Sequence, residues 1–150
     1  MTLTTEVLPD HHRHCDDLFV AAENAVHGKD WALAEREFAH FLDQMTAHFV
    51  AEEDTLFPAF EQATGSSGGP TQMMRYEHDQ MRTLLKQLDA ACKSKDRDAY
   101  SGVGETLLTL MQQHNMKEER ILYPMCDNAL GAEADAMGVR PGAMLEKSGA

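Results

Sequence analysis

Apolar residues recur along four segments of the chain at alternating spacings of three and four residues. This period is typical of α-helices that bury one face, and no segment keeps the alternation of a β-strand. Breaks fall at Gly28, at the glycine- and serine-rich stretch 64–71, near 92–98 and at Gly131. The pattern therefore predicts an all-α protein in which residues 1–130 form a bundle of four helices.

Histidine and glutamate interrupt the apolar stripes of these predicted helices. The first two stripes consist of His12, Cys15, Phe19, Ala22 and Val26, and then of Trp31, Ala34, Phe38, Phe41, Met45, His48 and Glu52. The third and fourth consist of Met74, His78, Met81, Leu85, Leu88 and Cys92, and then of Leu107, Met111, His114, Glu118, Ile121 and Met125. Burial of such polar groups is costly without a neutralising partner, so the stripes predict that something binds between the helices.

One motif occurs twice in the chain. The stretch HFVAEEDTLFP begins at His48, and HNMKEERILYP begins at His114, sixty-six residues later. The same offset relates His12 to His78. The bundle is therefore predicted to consist of two repeated helical hairpins, each contributing one histidine from its first helix and a His-x-x-x-Glu pair from its second.

The helical pattern is predicted to stop or bend at two kinds of place. Pro58 and Pro124 close the two copies of the motif, and each should kink or end its helix there because proline lacks a backbone N–H. Residues 131–150 show little amphipathic pattern and are expected to form a loose tail.

The charge and composition exclude several classes of partner. The formal net charge is −12, with a pI near 4.9 and no basic cluster, which argues against nucleic acid. No apolar run reaches membrane-spanning length, and the N-terminus lacks the order of a secretory signal, so we expect a cytoplasmic protein with no membrane partner. The three cysteines form no C-x-x-C pair and are expected to be reduced, buried thiols.

Divalent cations would neutralise the buried polar residues. Histidine and glutamate four residues apart project from one face of a helix and can both reach the core. Nitrogen and oxygen donors without thiolate favour iron, and they are compatible with manganese or zinc. The sequence therefore predicts two ions, each with two histidines and one glutamate and bridged by an oxo group or a carboxylate. The predicted ligands are His12, His48, Glu52, His78, His114 and Glu118.

Some individual assignments have alternatives. His11 and His14 compete with His12, which the repeat offset alone favours. Glu53 and Glu119 either hold ligand imidazoles by hydrogen bonds or are surface charges.

Some histidines are explained without a metal ion. His27 and His40 lie off the stripes and are expected to be solvated. Any single core histidine is more often a hydrogen-bonded core residue than a ligand, so the metal hypothesis depends on the repeated set as a whole.

The paired motif, with His12 and the stretch EHDQMR around His78, resembles the hemerythrin-like, or HHE cation-binding, domains. The resemblance covers roughly residues 9–130. It implies an up-down four-helix bundle around a non-haem di-iron centre that reacts reversibly with O2 or NO.

The sequence differs from oxygen-carrying hemerythrins at two positions. Those proteins have a further histidine where this chain has Met74, and they usually end with an aspartate ligand five residues after the last histidine, whereas Glu118 follows His114 by four. The set of four histidines and two glutamates is more similar to the di-iron domain of bacterial iron–sulfur repair proteins of nitrosative stress.

We therefore expect a di-iron protein that binds or senses O2 or NO, or that handles iron under oxidative or nitrosative stress. One alternative is an enzyme that reduces NO or peroxide, which is less favoured because no general acid or electron-entry cysteine pair is evident. Another is a metal-stabilised interaction module. Without the ions, Glu52 and Glu118 would face each other in the core, so burial and mutual repulsion are expected to raise the pKa of both carboxyl groups.

Overall fold

The computed structural model describes residues 3–66, 68–131 and 145–146, and the helices account for nearly all of them. Four long helices and two short ones follow one another along the chain. They are α1 (Leu8–His27), α2 (Trp31–Ala51), α3 (Phe57–Thr64), α4 (Pro70–Lys93), α5 (Arg97–Lys117) and α6 (Tyr123–Leu130). The all-α prediction is confirmed.

The long helices form the predicted four-helix bundle. Its two hairpins are α1 with α2 and α4 with α5, and they meet where α1 packs on α5 and α2 on α4. The short helices α3 and α6 pack against each other at the end away from the hairpin turns. Because each short turn makes its two helices antiparallel, the order is up-down-up-down, as predicted.

The two hairpin turns are built alike, which extends the repeat beyond the helices. Lys29 and Lys95 both adopt the left-handed conformation, with φ of 57° and 56°. The next residue in each turn, Asp30 or Asp96, caps the following helix by accepting a hydrogen bond from a backbone N–H three residues later. Such a cap typically stabilises a helix by about 1 kcal/mol.

Wide helical turns carry each motif into its short helix. The turns Glu52–Leu56 and Glu118–Leu122 contain π-type hydrogen bonds, in which the N–H of Phe57 or Tyr123 donates to the carbonyl five residues earlier. A proline follows as the second residue of each short helix, a position in the first turn of a helix where proline is tolerated. The prolines therefore end the long helices without turning the chain away from the bundle.

Because of the wide turn, one part of the predicted fourth stripe is wrong. Ile121 and Met125 were expected to face the core, but they are 57% and 39% exposed. Leu122 and Cys126 are buried in their place. A straight helix keeps the spacings of three and four, whereas the extra residue in the wide turn moves the buried face along by one position.

Two apolar clusters fill the bundle. The turn-side cluster lies toward the hairpin turns, and its larger members include Phe19, Phe38, Phe41, Leu85, Leu88, Tyr100 and Leu107. The proline-side cluster lies at the other end and includes Leu3, Leu8, Leu56, Phe57, Met74, Leu122, Tyr123 and Leu145. On α1 and α4, the buried histidines fall between residues of the two clusters, and on α2 and α5, His48 and His114 lie at the proline-side end of the turn-side cluster. The bundle therefore carries a polar layer across its middle.

The remaining sequence predictions concern the tail, the cysteines and the membrane. Residues 132–144 and 147–150 lie outside the described residues, so the division into a bundle and a loose tail stays a prediction, although Leu145 is buried in the proline-side cluster. All three cysteines are buried with free thiols. No helix in the described part of the chain has the length and apolar character that a membrane crossing requires.

Candidate metal centre

The six predicted ligands converge in the polar layer, and each is at most 4% exposed. They come from all four long helices and the two wide turns. The closest nitrogen–oxygen contacts join His12 Nε2 and Glu118 Oε1 at 3.0 Å, His78 Nε2 and Glu52 Oε1 at 3.0 Å, His114 Nε2 and Glu118 Oε1 at 3.3 Å, and His48 Nε2 and Glu52 Oε1 at 3.6 Å. Four imidazoles thus direct the same ring atom toward two carboxylates.

Several of these inward atoms have no hydrogen-bond partner. Nε2 of His48, His78 and His114 is buried without one, as are one oxygen of Glu52 and one of Glu118. His78 Nε2 and Glu52 Oε1 are 3.0 Å apart, yet their angles do not make a hydrogen bond. Each such atom costs about 1–3 kcal/mol when buried alone. Donor atoms that converge without bonding to one another fit a bound cation.

The donor atoms divide into two groups that share one residue. In the first group, Glu52, His78, His114 and Glu118 each offer an atom within 4.8 Å of the others. In the second group, His12 and His48 do so with Glu118 again. A carboxylate common to both groups fits the bridging role expected from the sequence. The structure therefore contains a candidate metal site with nitrogen and oxygen donors, which are the donor types that iron takes.

The outward nitrogen of each imidazole is also occupied. Nδ1 of His12 lies 2.6 Å from Glu119, Nδ1 of His78 lies 2.7 Å from Glu53, and Nδ1 of His114 lies 2.7 Å from Glu77. Each Nδ1–H donates to a carboxylate, so the neutral imidazole directs its Nε2 lone pair inward. Such partners orient ligand imidazoles and raise their basicity.

His48 differs because its outward partner is another imidazole. His48 Nδ1 lies 2.8 Å from His11 Nδ1, and His11 Nε2 lies 2.8 Å from Gln44 Oε1. Burial, together with the neighbouring His48, lowers the pKa of His11 to about 3, so His11 is neutral. Its Nε2–H donates to Gln44, and its bare Nδ1 therefore accepts the proton of His48.

Basic residues stabilise two of the outer carboxylates. Arg82 bonds both oxygens of Glu53, at 2.7 and 2.9 Å. Although partial burial opposes the shift, the hydrogen bonds from His78 and Arg82 lower the pKa of Glu53 to about 2. Lys117 Nζ lies 2.5 Å from Glu77. These carboxylates are therefore ionised at neutral pH and accept the imidazole protons.

Tyr123 links the two central carboxylates. Its O–H donates to Glu52 Oε2 at 2.7 Å and lies 3.0 Å from Glu118 Oε1. Burial and the two carboxylates raise the phenol pKa well above its usual value, so the hydroxyl keeps its proton. The sequence showed this position only as the aromatic residue of the motif, and its partner in the first copy is Phe57, which has no hydroxyl.

The metal-free centre has a different charge arrangement from the one expected. The carboxylates outweigh desolvation and raise the pKa of His48 to about 9 and that of His114 to about 10. Burial works against ionisation of Glu118, but His114 and hydrogen bonds lower its pKa well below the usual range. The expectation of a raised pKa is wrong for Glu118 because imidazoles surround it.

The structure separates the candidates that the sequence left open. His12 reaches the centre, whereas His11 lies behind His48 and His14 faces Glu146. Glu53 and Glu119 bond the imidazoles of His78 and His12, two of the predicted ligands, and Glu119 is at the same time exposed at the surface. These contacts fix the places of the side chains, and the role of the six central residues as metal ligands stays a prediction.

Three other positions singled out in the sequence contribute no donor atom to the centre. Met74 is buried in the proline-side cluster. His27 is exposed, as expected, whereas His40 is partly covered and bonds Glu146.

Sequence reasoning missed two outer partners, Glu77 and His11. They are related by the same sixty-six-residue offset as the ligands, and each directly precedes a predicted ligand. The repeat contained the signal, but an adjacent polar residue on a helix normally points to a different face.

The comparisons with known proteins agree with this geometry. The sequence model of the hemerythrin HHE cation binding domain matches residues 3–126. The iron-sulfur cluster repair protein YtfE of Yersinia pestis (strain Pestoides F) is 31% identical over 130 residues, and that of Yersinia pseudotuberculosis serotype O:1b (strain IP 31758) is 32% identical over 131. Each alignment covers 76% of this chain and 58% of the relative, so the chain spans little more than half the length of these proteins.

No solved structure gives a significant match. With a matched family model over most of its length and the predicted donor residues gathered in one layer, the chain belongs to the hemerythrin family of HHE cation-binding domains.

Proposed function

We propose that this domain holds two iron ions and binds O2 or NO with them, as part of handling iron under oxidative or nitrosative stress in the cytoplasm. The observation that carries the proposal is the set of inward donor atoms left without hydrogen bonds, divided into two groups by Glu118.

The residues fall naturally into two ligand sets. His12 and His48 would hold one ion, His78 and His114 the other, and Glu118 would be shared. Glu52 belongs to the same group as His78 and His114, and its Oε1 also lies 3.6 Å from His48 Nε2. When bound, iron with so few protein ligands supplies open coordination positions at which a diatomic gas can bind.

The chain's own residues prepare this site for a small ligand. The outer partners hold each imidazole with its Nε2 lone pair inward, which removes the alternative ring orientations. The apolar clusters on either side exclude bulk water from the polar layer. Nothing in this arrangement requires an organic substrate.

The iron-handling role is drawn from the relatives. They are named as iron–sulfur cluster repair proteins, and the chain corresponds to only 58% of their length. We therefore assign the metal-holding part of such a repair function to this domain.

Metal analysis combined with optical spectroscopy tests the proposal. Protein purified from iron-replete cells should hold about two ions per chain, largely iron, because the donors form two groups. Its absorption spectrum should change on exposure of the reduced protein to O2 or NO. Protein without tightly held metal would refute the metal assignment, and a metal spectrum insensitive to both gases would refute gas binding and favour an interaction module.

A second candidate function is the reduction of NO or peroxide, and Tyr123 favours it. Reductive chemistry needs protons, and this buried phenol lies beside both carboxylates; because its pKa is raised, it could give up its proton only to a strongly basic group that forms during the reaction. Under this function, Tyr123→Phe should keep its iron but lose turnover with a supplied reductant by about 100-fold. Tyr76→Phe, at an exposed tyrosine, is the matched control. Equal turnover of the two variants would exclude Tyr123 as the proton donor.

Glu53 should contribute to metal affinity although it is not a predicted ligand. Glu53→Gln weakens the acceptor of His78 Nδ1–H and the pairing with Arg82, so we expect metal affinity to fall about 10- to 100-fold. The measurement is competition with a chelator of known affinity. Asp54→Asn, at the exposed acidic neighbour, should bind metal like the unchanged protein. An equal loss in both variants would mean that general negative charge, rather than the hydrogen bond, sets the affinity.

The metal-free protein should become less stable as the pH rises above about 6.5. The pKa values of His48 and His114 are raised to about 9 and 10 in the fold, above the unfolded value of 6.5. Their stabilising contribution is therefore fully present below about pH 6.5 and is lost as pH rises toward 9 and 10. Metal requires the neutral imidazoles, so it binds more tightly over the same range.

Melting curves of metal-free and metal-loaded protein at several pH values between 6.5 and 9 measure both effects. The melting temperature of the metal-free protein should fall with pH, and its difference from the loaded protein should widen. Metal-free Glu118→Gln should show a weaker pH dependence because it lacks the carboxylate next to His114. A metal-free melting temperature that rises with pH would contradict the assigned charge arrangement.

A further inference from the structure

We propose that His14, His40 and Glu146 form a separate mononuclear site for a divalent transition-metal ion, with Zn²⁺ as the reference ligand. The site lies on the side of the bundle formed by α1 and α2, where Glu146 packs against both helices. It shares no donor residue with the central metal site.

The donor atoms are already gathered at the spacing of a metal site. His14 Nε2 lies 2.9 Å from Glu146 Oε2, and His40 Nε2 lies 2.8 Å from the same oxygen and 3.0 Å from Oε1. One donor atom from each of the three residues lies within 4.8 Å of the others. Both imidazoles therefore present the same ring nitrogen to one carboxylate.

The donor set selects the class of ligand. Two imidazole nitrogens and one carboxylate are a common set for zinc and other divalent first-row ions, with further positions taken by water. Hydrogen bonds from the two histidines lower the pKa of Glu146, so the carboxylate is ionised. With neutral imidazoles, the cluster carries one negative charge and no cation of its own. A divalent ion satisfies this arrangement, whereas an anion does not.

Two contacts hold Glu146 in place independently of any metal. The neighbouring Leu145 is buried in the proline-side cluster. Gln44 brackets the glutamate, since its Nε2 donates to Glu146 Oε1 and its Oε1 accepts from the Glu146 backbone N–H, both at 3.3 Å. These contacts hold the backbone of Glu146 so that its carboxylate faces the two histidines.

A chain of hydrogen bonds joins this site to the central one. Gln44 Oε1 also accepts from His11, whose other nitrogen accepts from His48. The two sites thus have a common connection but separate donor atoms, so they can be emptied independently by substitution.

Zinc binding to four versions of the full chain tests the proposal. The unchanged protein, His40→Ala, Glu146→Gln and His27→Ala are compared by titration calorimetry and by metal content after gel filtration. His40 and Glu146 have partly exposed side chains, so their substitution should leave the fold intact, which helical content and melting curves check. His27→Ala removes an exposed histidine outside the site and is the matched control.

His40→Ala and Glu146→Gln should each hold about one zinc ion fewer per chain than the unchanged protein and His27→Ala, because two protein donors hold zinc poorly. All four proteins keep the central residues, so this difference is measurable whether the central site takes two ions or none. Equal zinc content in all four would overturn the proposal and leave the cluster as a hydrogen-bonded contact between the bundle and Glu146. A loss in His27→Ala equal to that in His40→Ala would also overturn it, by showing nonspecific binding to surface histidines.

Discussion

The fold depends on how a polar layer is accommodated in the middle of an apolar bundle. Four imidazoles and two carboxylates are enclosed between two hydrophobic clusters, where each is at most 4% exposed to bulk water. Apolar packing would bring the helices together without this layer, but it would also favour filling the layer with leucine or phenylalanine. Polar residues in such a place are costly, so the sequence is best understood as one that sacrifices stability there to bind a cation.

Every level of the structure serves that layer. The spacing of four residues places a histidine and a glutamate of one helix on the same face, and the wide turn begins at the glutamate. Outer carboxylates then fix the ring orientation of three imidazoles, and Arg82 and Lys117 balance two of those carboxylates. The basic residues thus pair with the outer carboxylates, and these carboxylates pair with the imidazoles. This pairing limits the number of unpaired charges in the core.

The sequence predicted the fold and the central residues because both follow from periodicity. Apolar spacing gave the helices, and the sixty-six-residue offset selected His12 over its two neighbours, a choice that the side-chain positions support. Contacts between neighbouring helices were harder to predict. Glu77 reaches His114 on the next helix, and Tyr123 reaches Glu52 across the bundle, so no pattern within one helix could indicate either pair. The one-residue shift of the buried face after Glu118 was not predicted. The stripe assumes a regular helical period, and the wide turn interrupts that period.

The covalent link between the two repeated hairpins has a consequence for how the centre is assembled. Each hairpin carries half of the donor residues, so two separate hairpins would have to meet in solution, and the yield would depend on their concentration. The short link between α3 and α4, where Gly65 adopts a left-handed conformation, replaces that bimolecular encounter by an intramolecular one at a high effective concentration. Covalent linkage also allows the halves to diverge, because a residue in one hairpin is no longer copied in the other. The contrast between His11 and Glu77 is such a divergence, and two unlinked identical hairpins could not have it.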